Sequence, residues 1–148
     1  MSAIPAPLSQ LIEEFRAVDR DERAEMLIEC ADRFHDVPAS VATRPFPEAN
    51  HVARCESDAY VWARDRGDGT LQLHFAVENL QGLSAKAWCV ILDETCSGQP
   101  LEQVAAIPGD AVFAIFGREL SMGKGLGLLG ILDHVTHHAR RRLAARTG

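Results

Sequence analysis

One cysteine of this chain lies in a setting that suits sulfur chemistry. Cys55 stands among charged and small polar residues, between His51 and Asp58, directly before a strand-like run. The thiolate is the reactive form of cysteine, and a neighbouring cation such as Arg54 favours it in a partly exposed site. The like charge of Glu56 opposes that effect. Two interpretations stay open here: a nucleophilic Cys55, or a buried structural cysteine.

The other three cysteines are predicted to be structural. Cys30 falls on the apolar stripe of a predicted helix, and Cys89 and Cys96 share one face of another. The latter two could bind a metal only with further ligands, and no nearby histidine supplies one. No CxxC pair is present, so the four cysteines of this 148-residue chain are expected to be reduced thiols.

Composition and charge exclude several classes of protein. The length fits one domain, residues 1–148, and 47% apolar with 24% charged residues is ordinary for a globular protein. A net charge of −6 argues against general nucleic-acid binding, which needs a basic face. No apolar run approaches the roughly 18 residues of a membrane span, and residues 1–7 lack a secretion-signal pattern. The sequence therefore predicts a cytoplasmic protein that binds neither membrane nor nucleic acid.

The predicted elements surround the Cys55 stretch. Two helices are expected first, the second starting near Asp19 or Asp21, followed by a proline-rich connector over residues 36–50. A hairpin follows, with strands over 59–64 and 71–77 joined by a glycine-rich turn. That turn contains an Arg-Gly-Asp tripeptide, which matches the integrin-binding motif. We interpret it as residues that favour the turn. The apolar run 111–116 is short enough to be a strand or a helix.

Two patterns near the C-terminus suggest chemistry that we do not predict. The glycine-rich segment 117–130 resembles a phosphate loop, but five residues separate Gly117 from Gly123, and glycine follows Lys124. We interpret the segment as a flexible entry to a last helix. On that helix a histidine pair four residues apart, His134 and His138, could hold a metal, but it has no carboxylate or thiol partner.

Four segments, in this order, resemble the SufE family of sulfur-acceptor proteins, which partner pyridoxal-dependent cysteine desulfurases in iron–sulfur cluster assembly. They are Val52-Ala53-Arg54-Cys55-Glu56-Ser57 with Tyr60, then Ser84-Ala85-Lys86-Ala87-Trp88, then Ser97-Gly98-Gln99-Pro100-Leu101-Glu102-Gln103-Val104, and finally Leu120-Ser121-Met122-Gly123-Lys124-Gly125. Together they span nearly the whole chain.

The resemblance implies a fold, a site and partners. The fold would be α+β, with a three-stranded antiparallel sheet and helices packed on one face, as in the IscU-type scaffolds. Cys55 would accept sulfur as a persulfide, and Arg54, Ser57 and Lys124 would contact the partner, a SufS-like cysteine desulfurase. An iron–sulfur scaffold would receive the sulfur downstream, and no cofactor or metal is implied.

The chain departs from the family pattern at four positions. The family often has Gly before the cysteine and Gln after it, where this chain has Arg54 and Glu56. An Asp is common at the position of Gln81, and an Arg at the position of Lys124. These departures indicate a divergent branch with its own desulfurase.

Two further functions remain alternatives. An IscU-like scaffold would hold iron–sulfur or zinc, but only Cys55 and His51 stand near the loop, too few for a closed site. A non-catalytic binding module with an incidental thiol is the other. Metal content separates the scaffold from the acceptor, and thiol reactivity separates the acceptor from the module.

Overall fold

A computed structural model describes residues 3–53 and 55–147 of the chain. Its helices are α1 (Ala6–Arg16), α2 (Arg20–Asp32), α3 (Leu83–Cys96), α4 (Leu101–Ala105), α5 (Asp110–Phe116) and α6 (Met122–Thr147). Its strands are β1 (Ala59–Asp65) and β2 (Leu71–Val77), and a 3₁₀ turn spans Glu48–Asn50.

Capping and turn residues determine where several helices and strands begin and end. Asp19 caps α2, because its carboxylate accepts a hydrogen bond of 2.9 Å from the backbone N–H of Glu22. In the hairpin turn Gly67 and Gly69 have φ of 89° and 87°, a region that glycine enters without steric cost. Gly98, with φ of 78°, follows the end of α3. The predicted start of α2, the hairpin and the stop near Gly98 are confirmed.

The hairpin has one face on the helical core and the other under the connector. Alternate residues such as Val61 and Phe75 lie in the main core, where α6 packs on β1 and α3 packs on β2. Tyr60, Trp62 and Ala76 point the opposite way, beneath apolar residues of the proline-rich connector. The expected packing of helices on one sheet face is therefore confirmed.

The sheet has two strands among the described residues, so the expectation of three is wrong. At the β2 edge, the Val37 N–H donates to the carbonyl of Phe75 at 2.7 Å, but Pro38 follows and has no N–H to continue the ladder. At the β1 edge, His51 forms a single bridge with Tyr60 before the chain turns away. Each edge thus carries scattered single contacts instead of a third strand.

The run left open between strand and helix, residues 111–116, lies in α5. Its buried residues Ala111, Val112 and Ile115 have helical spacing. Backbone hydrogen bonds of 3.0 Å from Ala111 to Pro108 and from Val112 to Gly109 begin the first turn. The helix begins directly after the Pro-Gly pair. Proline has no N–H group, but this costs nothing here, because N–H groups at the start of a helix have no partner within the helix.

The glycine-rich segment is also more regular than the sequence predicts. α6 begins at Met122, so only residues 117–121 form an entry, and Gly123, Gly125, Gly127 and Gly130 all lie inside the helix. Trp88 of α3 fixes this part of α6, because its buried indole N–H donates a 3.0 Å hydrogen bond to the carbonyl of Leu128. No helix among the described residues combines the length and apolar character needed to cross a membrane.

Candidate functional site

The cysteine loop, which we define as residues 52–58, leads from the His51 bridge into β1. The N–H of Val52 donates to the carbonyl of Ala59 at 2.9 Å, which closes the base of the loop. The N–H of Asp58 donates to the carbonyl of Cys55 at 3.1 Å, and Asp58 has a left-handed φ of 51°. Asp tolerates this conformation better than most residues. The predicted partner-binding residue Arg54 lies outside the described residues.

Three glycines of α6 form the surface on which the cysteine loop lies. A Cβ added at Gly130 would be 2.9 Å from Cγ1 of Val52, and one at Gly127 would be 3.5 Å from Sγ of Cys55. At Gly123 the added Cβ would be 2.9 Å from Oε1 of Glu56. The spacing of three and four residues puts these glycines on one helix face. Their missing side chains let the loop approach the helix backbone closely.

Cys55 is more buried than the sequence predicts. Its relative exposure is 9%, and it belongs to the main core, so it lacks the partly exposed setting in which a neighbouring cation favours the thiolate. The packing of the loop on α6 is the cause. Cys55 nevertheless lines a pocket of about 260 Å³, which we call the Cys55 pocket. The thiol is therefore sheltered by protein on one side and faces an open cavity on the other.

Two segments form opposite walls of the Cys55 pocket. One wall is the start of α6, with Gly123, Lys124, Gly127 and Leu128. The other runs from Asn79 to Ala85, through the first turn of α3. Of the predicted site residues, Cys55, Ser57 and Lys124 thus line one cavity. Gln81, one of the departures from the family pattern, lines it as well.

Asn79 organises the wall that faces α6, a role that the sequence reasoning missed. Its side-chain oxygen accepts a hydrogen bond of 2.9 Å from the N–H of Gln81, and its amide donates to the carbonyl of Glu56 at 3.4 Å. Its own N–H donates to the carbonyl of Ser57 at 3.1 Å. The asparagine lies two residues after the end of β2, in a Glu-Asn-Leu-Gln-Gly run, and this type of side chain commonly forms such turns.

The charges at the site are confined to its rim. Lys124 is exposed, and its side chain has no ion-pair partner among the described residues. Its N–H donates to the Ser121 hydroxyl at 3.3 Å, which caps the first turn of α6. The Glu56 carboxylate lies beside the same turn, where the helix dipole favours a negative charge.

The three remaining cysteines are buried core residues, as predicted. Burial raises the pKa of Cys96 to about 11, and it also raises the pKa of Cys30. Burial raises the pKa of Cys89 well above its usual value, and a negative charge on nearby Cys55 acts in the same direction. These thiols stay protonated at neutral pH, which leaves them poor nucleophiles.

The histidines do not form a metal site within the described part of the chain. No group of three or more His, Cys, Asp or Glu side chains there is arranged to hold a metal ion. His51 is held by carboxylates, with Nε2 3.2 Å from Oδ1 of Asp58 and Nδ1 3.5 Å from Oε1 of Glu48. Burial lowers the pKa of His134 and lowers that of His138 to about 4.

A family model described as "SufE: Fe-S metabolism associated domain" matches residues 9–139, which include the cysteine loop and both walls of the pocket. The chain belongs to the SufE family. Membership gives this SufE chain a role in iron–sulfur metabolism, and it confirms the resemblance found in the sequence.

Relatives and solved structures agree with this assignment. An uncharacterized SufE-like protein of Mycobacterium tuberculosis is 24% identical over 112 residues, in both the CDC 1551/Oshkosh and the ATCC 25618/H37Rv strains. The match covers 74% of this chain and 73% of the relative. A solution structure of a hypothetical protein from Thermus thermophilus superposes with a TM-score of 0.73 and 24% identity. It covers 95% of this SufE chain and 98% of the other, and it supports the fold.

Replacing Gly130 should destabilise the protein although alanine is the better helix former. In Gly130→Ala the new Cβ would lie 2.9 Å from Cγ1 of the fully buried Val52. We therefore expect overpacking to lower the free energy of unfolding by about 1–3 kcal/mol. Gly125→Ala is the matched control, because its Cβ would meet only Phe113, at 4.0 Å. In Gly125→Ala we expect the free energy of unfolding to rise by up to about 1 kcal/mol. Urea unfolding of both variants is the measurement, and equal gains would contradict the tight contact.

Acid should destabilise the fold through His138. Its pKa is about 4 in the folded state, below the ordinary 6.5, because burial disfavours the charged form and any positive charge on His134, His137, Arg141 and Arg142 adds to this. The unfolded chain therefore binds the proton more tightly. This contribution to stability is complete above pH 6.5 and is lost as the pH falls towards 4.

The measurement is the melting temperature between pH 7 and pH 4.5. His138→Gln should lose less stability over this range than the unchanged protein. His35→Gln removes an exposed histidine of the connector and serves as the control, so it should follow the unchanged protein. Parallel curves for all three proteins would refute the assignment to His138.

Proposed function

We propose that this chain, acting over residues 1–148 as one SufE-like domain in the cytoplasm, accepts sulfur on Cys55 from a SufS-like cysteine desulfurase. The sulfur then passes to an iron–sulfur scaffold. The chemistry requires a thiol that a protein donor can reach, and neither a metal nor a cofactor on this chain.

One observation carries the proposal: exposed apolar side chains flank the Cys55 pocket. Among the described residues, five large hydrophobic side chains are exposed; one of them lines the pocket, and three others are next in sequence to residues that line it. Leu80 is 90% exposed and Leu83 45%, whereas Met122 is 82% and Leu126 42% exposed. Apolar groups clustered around a reactive residue are typical of a surface that another protein covers. The donor is therefore expected to be a protein that carries its sulfur on a side chain.

The transfer is a single displacement at sulfur. The Cys55 thiolate attacks the terminal sulfur of a cysteine persulfide on the donor. A new S–S bond forms to Cys55 while the donor's S–S bond breaks, and the donor cysteine leaves as a thiolate. The persulfide is thus transferred without an oxidant or a reductant.

The pocket suits the product as well as the reaction. A persulfide adds one sulfur atom to Cys55, and the cavity of about 260 Å³ next to the thiol has room for it. Contact with Gly127 covers the other side of the sulfur. The high pKa values of Cys89 and Cys96 keep these thiols from attacking the persulfide and releasing sulfide.

Cys55→Ser should abolish stimulation of the desulfurase and the transfer of sulfur to this chain. The matched control is Cys30→Ser, since Cys30 is buried to a similar extent but does not line the pocket. The measurement is sulfide released from cysteine by the desulfurase of the same organism, together with mass spectrometry of the added sulfur. A persulfide located mainly on Cys30, Cys89 or Cys96 would refute the role of Cys55. About one equivalent of bound zinc or iron that is lost in Cys55→Ser would favour the scaffold function.

Lys124→Glu should weaken binding of the desulfurase, most clearly at low salt. The ammonium group lies on the rim of the Cys55 pocket without an ion-pair partner among the described residues, so it is available to an acidic group of the donor. Lys124→Arg keeps the charge and should be tolerated. Titration of the desulfurase at two salt concentrations is the measurement, and an unchanged affinity of the Glu variant at low salt would remove Lys124 from the interface.

A further inference from the structure

A second cavity lies on the other side of Lys124 from the Cys55 pocket. It is a groove of about 900 Å³ between α2 and the segment that joins α5 to α6, and we call it the basic groove. Its lining includes Arg20, Arg23, Leu27, Phe116, Arg118 and Leu120. Lys124 lines both cavities, so the basic groove adjoins the proposed site.

The charge of the groove is opposite to that of the whole chain. Four cationic side chains and one carboxylate line it, in a protein whose net charge is −6. Arg118 is exposed, and its guanidinium has no ion-pair partner among the described residues. Arg20 has only the solvent-exposed Glu119 carboxylate at 3.2 Å, a kind of pair that contributes little stability. These cations are therefore free to meet carboxylates from outside.

The floor of the groove is apolar and firmly held. Leu27, Phe116 and Leu120 are half-buried and pack against the main core. The Phe116 ring meets the buried Trp88 ring edge to face, with centroids 5.8 Å apart. An apolar floor with cations along its edges fits a peptide segment with both apolar and acidic side chains.

The cations that line the basic groove come from three parts of the chain: α2, the α5–α6 connection and α6. The Arg23 guanidinium is already directed at the carbonyls of Phe15 and Ile115, at 3.4 and 3.5 Å. Arg20 lies on α2, whereas Arg118 follows α5 across the groove. Charges distributed along both edges match carboxylates distributed along a segment of chain.

We propose that the basic groove binds an acidic, amphipathic segment of the sulfur donor, next to the donor part that enters the Cys55 pocket. This inference rests on the proposed function and adds to it a second contact, which fixes the orientation of the donor. Arg118 would bind a donor carboxylate, while apolar donor side chains would lie on Phe116 and Leu120.

The test compares two Arg→Glu charge reversals, one inside the basic groove and one outside it. Arg118→Glu changes the groove, and Arg140→Glu changes an exposed α6 arginine that lines none of the cavities described above. The probe is the purified pyridoxal phosphate-dependent cysteine desulfurase of the same organism, and its affinity is measured at about 50 mM and about 500 mM salt. Sulfide release at a saturating concentration of each variant is measured alongside.

Arg118→Glu should weaken the affinity about three- to tenfold at low salt, as expected for reversing a rim charge. The loss should shrink at high salt, because the Debye length is then only about 4 Å. Arg140→Glu should bind like the unchanged protein and should support full sulfide release at saturation, since it changes neither the basic groove nor Cys55.

Other results would overturn the inference in distinguishable ways. Equal affinity of the Arg118→Glu and Arg140→Glu proteins, with the unchanged protein still stimulating the desulfurase, would refute the groove alone. If the unchanged protein neither binds nor stimulates the enzyme, the proposed function itself fails. A dimer of this chain that dissociates on Arg118→Glu would assign the groove to a second copy, and competition by inorganic phosphate at equal ionic strength would assign it to an anion.

Discussion

The architecture of the site depends on the close approach of the cysteine loop to α6. Glycine inside a helix costs about 1 kcal/mol relative to alanine, yet α6 has glycine at 123, 127 and 130 where it faces the loop. That cost is offset because the fully buried Val52 fills the space beside Gly130, and the Cys55 sulfur packs over Gly127. A longer helix side chain at these positions would lift the loop away from the core and change the direction in which the thiol faces.

Under the proposed function, the same contact would meet two opposing demands on a sulfur carrier. A persulfide must be kept from water and from other thiols, but a large donor must still reach it. Packing against α6 covers one side of Cys55, while the pocket between α6 and residues 79–85 leaves the other side open. The apolar side chains beside that opening, with Leu80 the most exposed, would be desolvated when a partner covers them. Closure of the site can therefore come from the partner instead of a moving lid.

The sequence predicts the local features of this fold well and the long-range ones poorly. The α2 cap at Asp19, the hairpin and the end of α3 follow from turn and capping residues that act over a few positions. The glycine-rich start of α6 was predicted to be flexible, since glycine weakens an isolated helix. Its order comes from tertiary contacts such as the Trp88 hydrogen bond, which no local pattern reveals. The burial of Cys55 and the number of strands also depend on contacts between residues far apart in sequence, so no local pattern predicts them.

Net charge illustrates why a whole-chain property does not predict a local surface. The value of −6 argues against a general affinity for polyanions, yet it conceals a groove lined mainly by cations. These cations are far apart in sequence, and only the packing of α2 beside the α5–α6 connection brings Arg20 and Arg118 to one cavity. Their position at the rim is physically reasonable, because a charge that remains partly in water directs a partner without the large penalty of burial. Under the two proposals, the buried thiol would carry the chemistry in the sheltered pocket, and the exposed cations would recognise the partner at the hydrated edge.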